Sequence, residues 1–279
     1  MNRLPYIAGA GVLVVLAGAG AWWWQQRAER DIPPPAPASA PAGASAPAVA
    51  AVAPAPASAG IRHPLEAAAP ADVLPEPVTV DGALTHLFGR KAVLSMFQLD
   101  DFPRRLVATV DNLGRGHASA RLLPVNPPEG RFTVQESGSE PVISPDNGLR
   151  YTPYVLLLET VDMRQAVAAY RALYPLFQQA YEELGYPKSY FNDRLVDVID
   201  HLLATPEPVG PLAVRLPEIK GPIQPERPWV LYQFADPALE SLSAGQKLML
   251  RIGPVNQRRV KAKLQEIRRL VTASTPAPR

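Results

Sequence analysis

The sequence predicts a mainly α-helical domain with minor β, a single helical domain carrying one or two short β-hairpins, behind a transmembrane helix and a disordered Pro/Ala linker. Three observations carry this reading. An uncharged run occupies residues 4–26, and twelve of the thirty-three prolines of the 279-residue chain fall in the stretch of residues 32–80 that follows it. From about residue 81 onward, apolar side chains recur at three- and four-residue spacings. The expected organisation is an anchor with its flanks over 1–31, a linker over 32–80, a globular domain over 81–273 and a disordered tail over 274–279.

The run "LPYIAGAGVLVVLAGAGAWWWQQ" is bracketed by Arg3 and by Arg27, Glu29 and Arg30. About 20 such residues span a bilayer as a helix. Trp22, Trp23 and Trp24 fall where an aromatic belt belongs. A cleaved signal peptide is the competing reading, but three tryptophans beside the candidate cut favour an anchor. "GAGVLV" from Gly9 begins like a dinucleotide fingerprint, yet it lacks the third glycine and any polar crevice for a pyrophosphate. Arg3 on one side against Arg27 and Arg30 on the other does not fix orientation by charge. A short N-terminal tail and the absence of cysteine fit an inner-membrane, single-pass protein with its C-terminal domain in the periplasm.

Residues 33–60 contain only Pro, Ala, Ser and Gly apart from Val49 and Val52. They offer too little apolar surface to offset the entropy of ordering, so a solvated tether is expected. The Pro-rich character continues more weakly through "HPLEAAAPADVLPEPV".

In the domain, Phe102, Leu106, Val110 and Leu113 form a helical stripe, with Pro103 tolerated in the first turn and Gly114 and Gly116 beyond the end. Asp100 and Asp101 precede that turn and are expected as its N-cap rather than as a catalytic pair, since neighbouring residues diverge. "RFTVQE" and "PVIS" predict a hairpin. Tyr170, Tyr174, Phe177 and Tyr181 make an aromatic stripe on a long helix interrupted by Pro175, read as a core face before a sugar-binding groove. "SYFNDRLVDVIDHLLAT" predicts a helix with Leu195, Val198, Ile199 and Leu202 on one face. Asp197 and His201, four apart, make the best acid–histidine pair, read as an exposed helix pair. "WVLYQF" alternates as a strand, in a second hairpin turning at Gly221–Pro222. Ser243 and Gln246 match a capping box. The last helix starts near Pro254 and presents Val260, Leu264, Ile267 and Val271 as its seam.

Blocks such as "DDFPRRLVATVDNL", "YPLFQQAYEELGYP" and "FADPALESLSAGQKLMLRIGP", the last running on to "VKAKLQEIRRL", resemble a bacterial family known only as domain of unknown function 3014. The resemblance covers roughly residues 80–272. It implies a membrane-anchored envelope protein of Gram-negative-type bacteria and transfers no activity, because no catalytic or binding residues are assigned to the family.

For function, the lack of cysteine removes thiolate nucleophiles and Cys-zinc sites, and no serine elbow is present. No catalytic, cofactor-binding or metal residues are predicted. The leading expectation is a non-catalytic binding or scaffolding domain, with the inner membrane as partner through residues 4–26. An envelope hydrolase would draw on Asp101, Glu159, Glu182, Asp193 and Asp197, with nothing in sequence to bring two together. Arg258, Arg259, Lys261, Lys263, Arg268 and Arg269 on the last helix, against the single acid Glu266, are the candidate surface for an anionic partner such as lipid, cell-wall polymer or an acidic envelope protein. Nucleic acid is not expected, since it needs the opposite orientation.

Overall fold

The computed structural model describes residues 60–65, 78–138, 140–218 and 226–273. The expected span at 4–26, most of the linker, the Gly221–Pro222 turn and the tail 274–279 lie outside these residues. Among the described residues, no helix is long and apolar enough to cross a membrane.

The domain is mainly helical with two small antiparallel sheets. Its helices are α1 (Val80–Phe88), α2 (Arg90–Met96), α3 (Phe102–Leu113), α4 (Thr152–Glu159), α5 (Met163–Glu183), α6 (Phe191–Leu203), α7 (Pro237–Glu240), α8 (Ala244–Arg251) and α9 (Pro254–Thr272). Strands β1 (Val134–Ser137) and β2 (Glu140–Ile143) pair in register Val134 to Ile143. Strands β3 (Val214–Arg215) and β4 (Gln233–Phe234) form the second ladder. The sheets meet where Val142 bridges Ala213.

Four helices make the frame: α3 packs on α5 and α6, and α9 packs on the same two. Each carries an apolar stripe at helical spacing, so each must bury that face against another. Val260, Leu264, Ile267 and Val271 of α9, and Leu195, Val198, Ile199 and Leu202 of α6, all enter the main core. The aromatic stripe of α5 is also core-facing: Tyr170 stacks on Phe177 at 5.6 Å, and Tyr181 lies 5.5 Å from Phe191 of α6. Burial pushes the Tyr181 hydroxyl up to about 12. The hairpins pack separately, with Val214, Phe234 and Leu250 as a smaller core.

The capping box of α8 is present, Ser243 accepting from the Gln246 amide and the Gln246 side chain accepting from the Ser243 amide. The expected cap of α3 is a correction. Asp101 occupies the N-cap position, but its backbone is left-handed (φ 51°, ψ 37°) and its side chain accepts no capping bond. A capping side chain needs extended backbone to swing over the first amides. Here Asp101 instead faces Arg104 at 3.9 Å, while Asp100 is 92 % exposed and lies 3.8 Å from Arg105. "WVLYQF" is also corrected: Pro228–Val230 is a 3₁₀ turn, and only Gln233–Phe234 of that stretch is strand. A proline at the first position supplies no ladder donor and suits a helical turn.

Candidate functional site

The start of α6 would ordinarily leave several amides without partners. Its N-cap residue, Tyr190, makes no side-chain capping bond. Side chains of α5 fill the gap: Gln178 Oε1 accepts from the Phe191 amide at 2.9 Å, and the Tyr174 hydroxyl accepts from the Asn192 amide at 3.2 Å. Gln178 is itself fixed, accepting from the Tyr174 hydroxyl at 2.9 Å and donating to the Ser189 carbonyl at 2.9 Å. With those amides satisfied from α5, the first-turn carboxylate of Asp193 is free to point away from its own helix.

What it meets is a piece of the linker. Asp193 accepts from two consecutive backbone amides, that of Arg62 at 3.0 Å and that of His63 at 2.8 Å, one through each carboxylate oxygen. Asn192, fully buried, donates one amide hydrogen bond to the His63 carbonyl at 2.8 Å and another to the Val271 carbonyl at 3.2 Å. Its Oδ1 accepts from the Tyr170 hydroxyl at 3.3 Å. Tyr190 accepts from the Leu65 amide at 3.0 Å through its hydroxyl. One turn further along α6, Asp197 pairs with the Arg62 guanidinium at 2.6 Å. This bond and the Asp197 charge push the guanidinium up from its ordinary value. Leu65 packs half-buried against the main core. Gly60–Leu65 is thus seated in a clamp built from α5, α6 and the end of α9.

Beneath the clamp lies an apolar cavity of about 60 Å³ between α1, α3, α5, α6 and α9. Tyr170, Phe191 and Val271 line it and also connect to the clamp. Its walls offer no acid or base, since the Tyr170 hydroxyl is engaged by Asn192.

Of the acids singled out from sequence, Asp193 and Asp197 come together on one segment. Glu159 faces Arg259 at 3.5 Å, Glu182 accepts from Gln178 at 2.9 Å, and Asp101 faces Arg104. Asp197 is taken by Arg62. His201 has its Nε2 buried with no partner among the described residues, and burial together with the Arg194 charge lowers its pKa. Among the described residues, no group of three His, Cys, Asp or Glu is placed to hold a metal ion.

The cations of α9 are distributed differently from a continuous free surface. Arg259 faces Glu159, Lys261 pairs with Glu207 at 2.7 Å, Lys263 lies 3.5 Å from Glu266, and Arg268 meets Asp200 through two bonds, one of 2.9 Å. Lys261 and Lys263 also donate to the carbonyls of Thr205 and Val161, which ties α9 to neighbouring loops. Arg258 and Arg269 are exposed. Sequence reading missed the clamp's ligand. The available signal was Arg62, the first charged residue after Asp31, in a stretch otherwise read as tether.

Fold and clamp together define a mainly helical domain that seats a short polypeptide segment, bent at Arg62 and His63, at one helix start. The chain belongs to the family described as a protein of unknown function, DUF3014, whose model matches residues 102–268. No curated protein and no solved structure matches it. Tyr190, Asn192, Asp193 and Asp197 lie inside the matched span, and the seated segment, α1 and α2 lie outside it.

Proposed function

We propose that this chain is a tethered, non-catalytic binding module: residues 4–26 anchor it in the inner membrane, the Pro/Ala linker extends it into the periplasm, and the α6 clamp recognises a short polypeptide segment. The observation that carries the recognition is the seating of Gly60–Leu65 by five hydrogen bonds, four of them to main-chain groups. Main-chain bonds give a bound peptide affinity, and side-chain contacts give it specificity. The uncharged run, its flanking tryptophans and the linker composition support the anchor and tether.

The recognition is tested with a chain in which residues 60–65 are replaced by Gly and Ser, titrated with a labelled peptide of residues 58–67. Saturable binding that disappears on adding Asp193→Ala and Asp197→Ala is the expected result; no binding to either chain overturns it. A compartment-sensitive reporter fused after Arg279 tests the orientation, and a cytoplasmic signal would refute the periplasmic placement.

A further inference from the structure

We infer that Gly60–Leu65 is a displaceable pseudo-ligand, and that the clamp's ligand in trans is a short segment of another polypeptide, bent as this one is at Arg62 and His63, carrying arginine, any residue, proline and an apolar residue in that order. The inference rests on the recognition reading above and adds the ligand class and its regulation. The motif follows from dividing the contacts by what each one reads.

The second position, His63, is used through its main chain in both directions: its amide donates to Asp193 and its carbonyl accepts from Asn192. Such contacts carry no side-chain information. Three positions do discriminate. Arg62 places a guanidinium on Asp197, where an acidic side chain would meet two carboxylates. Pro64 has no amide to satisfy, and the clamp offers bonds to the amides at 62, 63 and 65. Proline there loses nothing, and its fixed φ narrows the conformations of the free segment. Leu65 places an apolar side chain against the core. The Asn192 donor facing His63 belongs to a fully buried side chain whose other amide hydrogen is already bonded to Val271. An empty clamp would leave that donor to water, so the site favours a carbonyl in this place.

Regulation follows from connectivity. Only residues 66–77 join the seated segment to the domain, and so short a connection gives an effective concentration on the order of 1 mM. A cis segment that fills the clamp about ten times as often as it leaves it empty weakens any competitor about tenfold. A second copy of the chain gains nothing by exchange, because its own segment makes the same contacts with the cis advantage. The occupant that displaces it must therefore bring further contacts of its own, which a separate polypeptide can do.

The experiment uses the full chain in detergent and the fluorescent peptide of residues 58–67, read by anisotropy. Wild type is compared with a released chain, Arg62→Glu with Leu65→Ser, whose thermal midpoint checks folding. The released chain is expected to bind about tenfold tighter than wild type. Peptides carrying Arg62→Glu or Leu65→Ser are expected to lose binding at least tenfold. Equal affinity for wild type and released chain overturns the pseudo-ligand while leaving recognition standing. Undiminished binding of the Arg62→Glu peptide overturns the ligand class. No peptide binding to either chain brings down the proposed function itself. Wild type that sediments as a dimer, while the released chain sediments as a monomer, assigns the occupant to a second copy and also overturns the inference.

Discussion

Asp101 is the one described non-glycine residue with positive φ, at 51°. Aspartate and asparagine tolerate this region, whereas a β-branched side chain there costs about 1–2 kcal/mol. Asp101→Val is therefore expected to destabilise the domain by about that amount and Asp101→Asn to leave it unchanged, as read by denaturant midpoints. A true capping carboxylate would have lost stability with alanine through its missing bond; here alanine acts through the backbone. The sequence pattern Asp-Asp-Phe-Pro was enough to place the helix start, because proline and the apolar stripe fix it, but not the conformation of the residue before it. His201 gives a second test. Burial and Arg194 lower its pKa below the ordinary 6.5, so the folded state resists protonation more than the unfolded chain. Its contribution to stability is complete above pH 6.5 and declines as pH falls through and below that value. His201→Gln is expected to flatten the stability profile between pH 7 and pH 5 relative to wild type; parallel profiles would contradict the assignment.

Between elements, the least legible feature was the charge buried where α3 meets α6. Asp111 and Arg194 are 5 % and 6 % exposed and bonded at 2.9 Å, and Arg194 also donates to the Asp111 carbonyl at 2.9 Å. Arg115 and Tyr186 complete the set around the carboxylate. In sequence both partners sit on helices with strong apolar stripes, and nothing in the periodicity reveals that two charged residues share the inner side. Removing one partner strands the other, so Asp111→Ala is expected to cost about 3–5 kcal/mol in equilibrium unfolding. Gly245 in α8 is a quieter case. A Cβ there would stand 2.6 Å from a Leu202 methyl and 2.8 Å from the Leu113 carbonyl oxygen. Alanine for glycine in a helix usually gains stability, but here overpacking should reverse the sign and cost about 1–3 kcal/mol. Amphipathic spacing made the long helices readable because one period decides each buried face. The short α1 and α2, before the matched family span, were not read from the sequence at all, since two helices of 9 and 7 residues joined at Gly89 give too few turns for a stripe.

At the scale of the whole chain, the clamp converts part of an expected tether into a bound segment, and composition alone could not show this. Proline and alanine content measures how little a stretch can bury by itself, whereas six residues borrow a surface that the domain has already built. Protease sensitivity distinguishes the two descriptions in the intact protein. Trypsin cleaves an arginine bond only when the chain enters its cleft extended, with the guanidinium free and the flanking backbone available. In the seated segment the Arg62 side chain is engaged by Asp197 and the amides on both sides of the Arg62 α-carbon and carbonyl by Asp193. Cleavage between Arg62 and His63 therefore needs the segment to leave the clamp, and its rate follows the open fraction when reclosing is fast. Arg27–Ala28, far from the seated segment in sequence, serves as the internal reference. Wild type is expected to be cut at Arg62 at least tenfold more slowly than the same chain carrying Asp193→Ala and Asp197→Ala, with the reference bond unchanged between the two. Raising the salt concentration should narrow the difference only in part, because the Arg62–Asp197 pair is exposed and screened while the main-chain bonds are not ionic on both sides. Equal cleavage at Arg62 in the two chains would mean that the segment spends its time free, and that the acids at the start of α6 serve the helix alone.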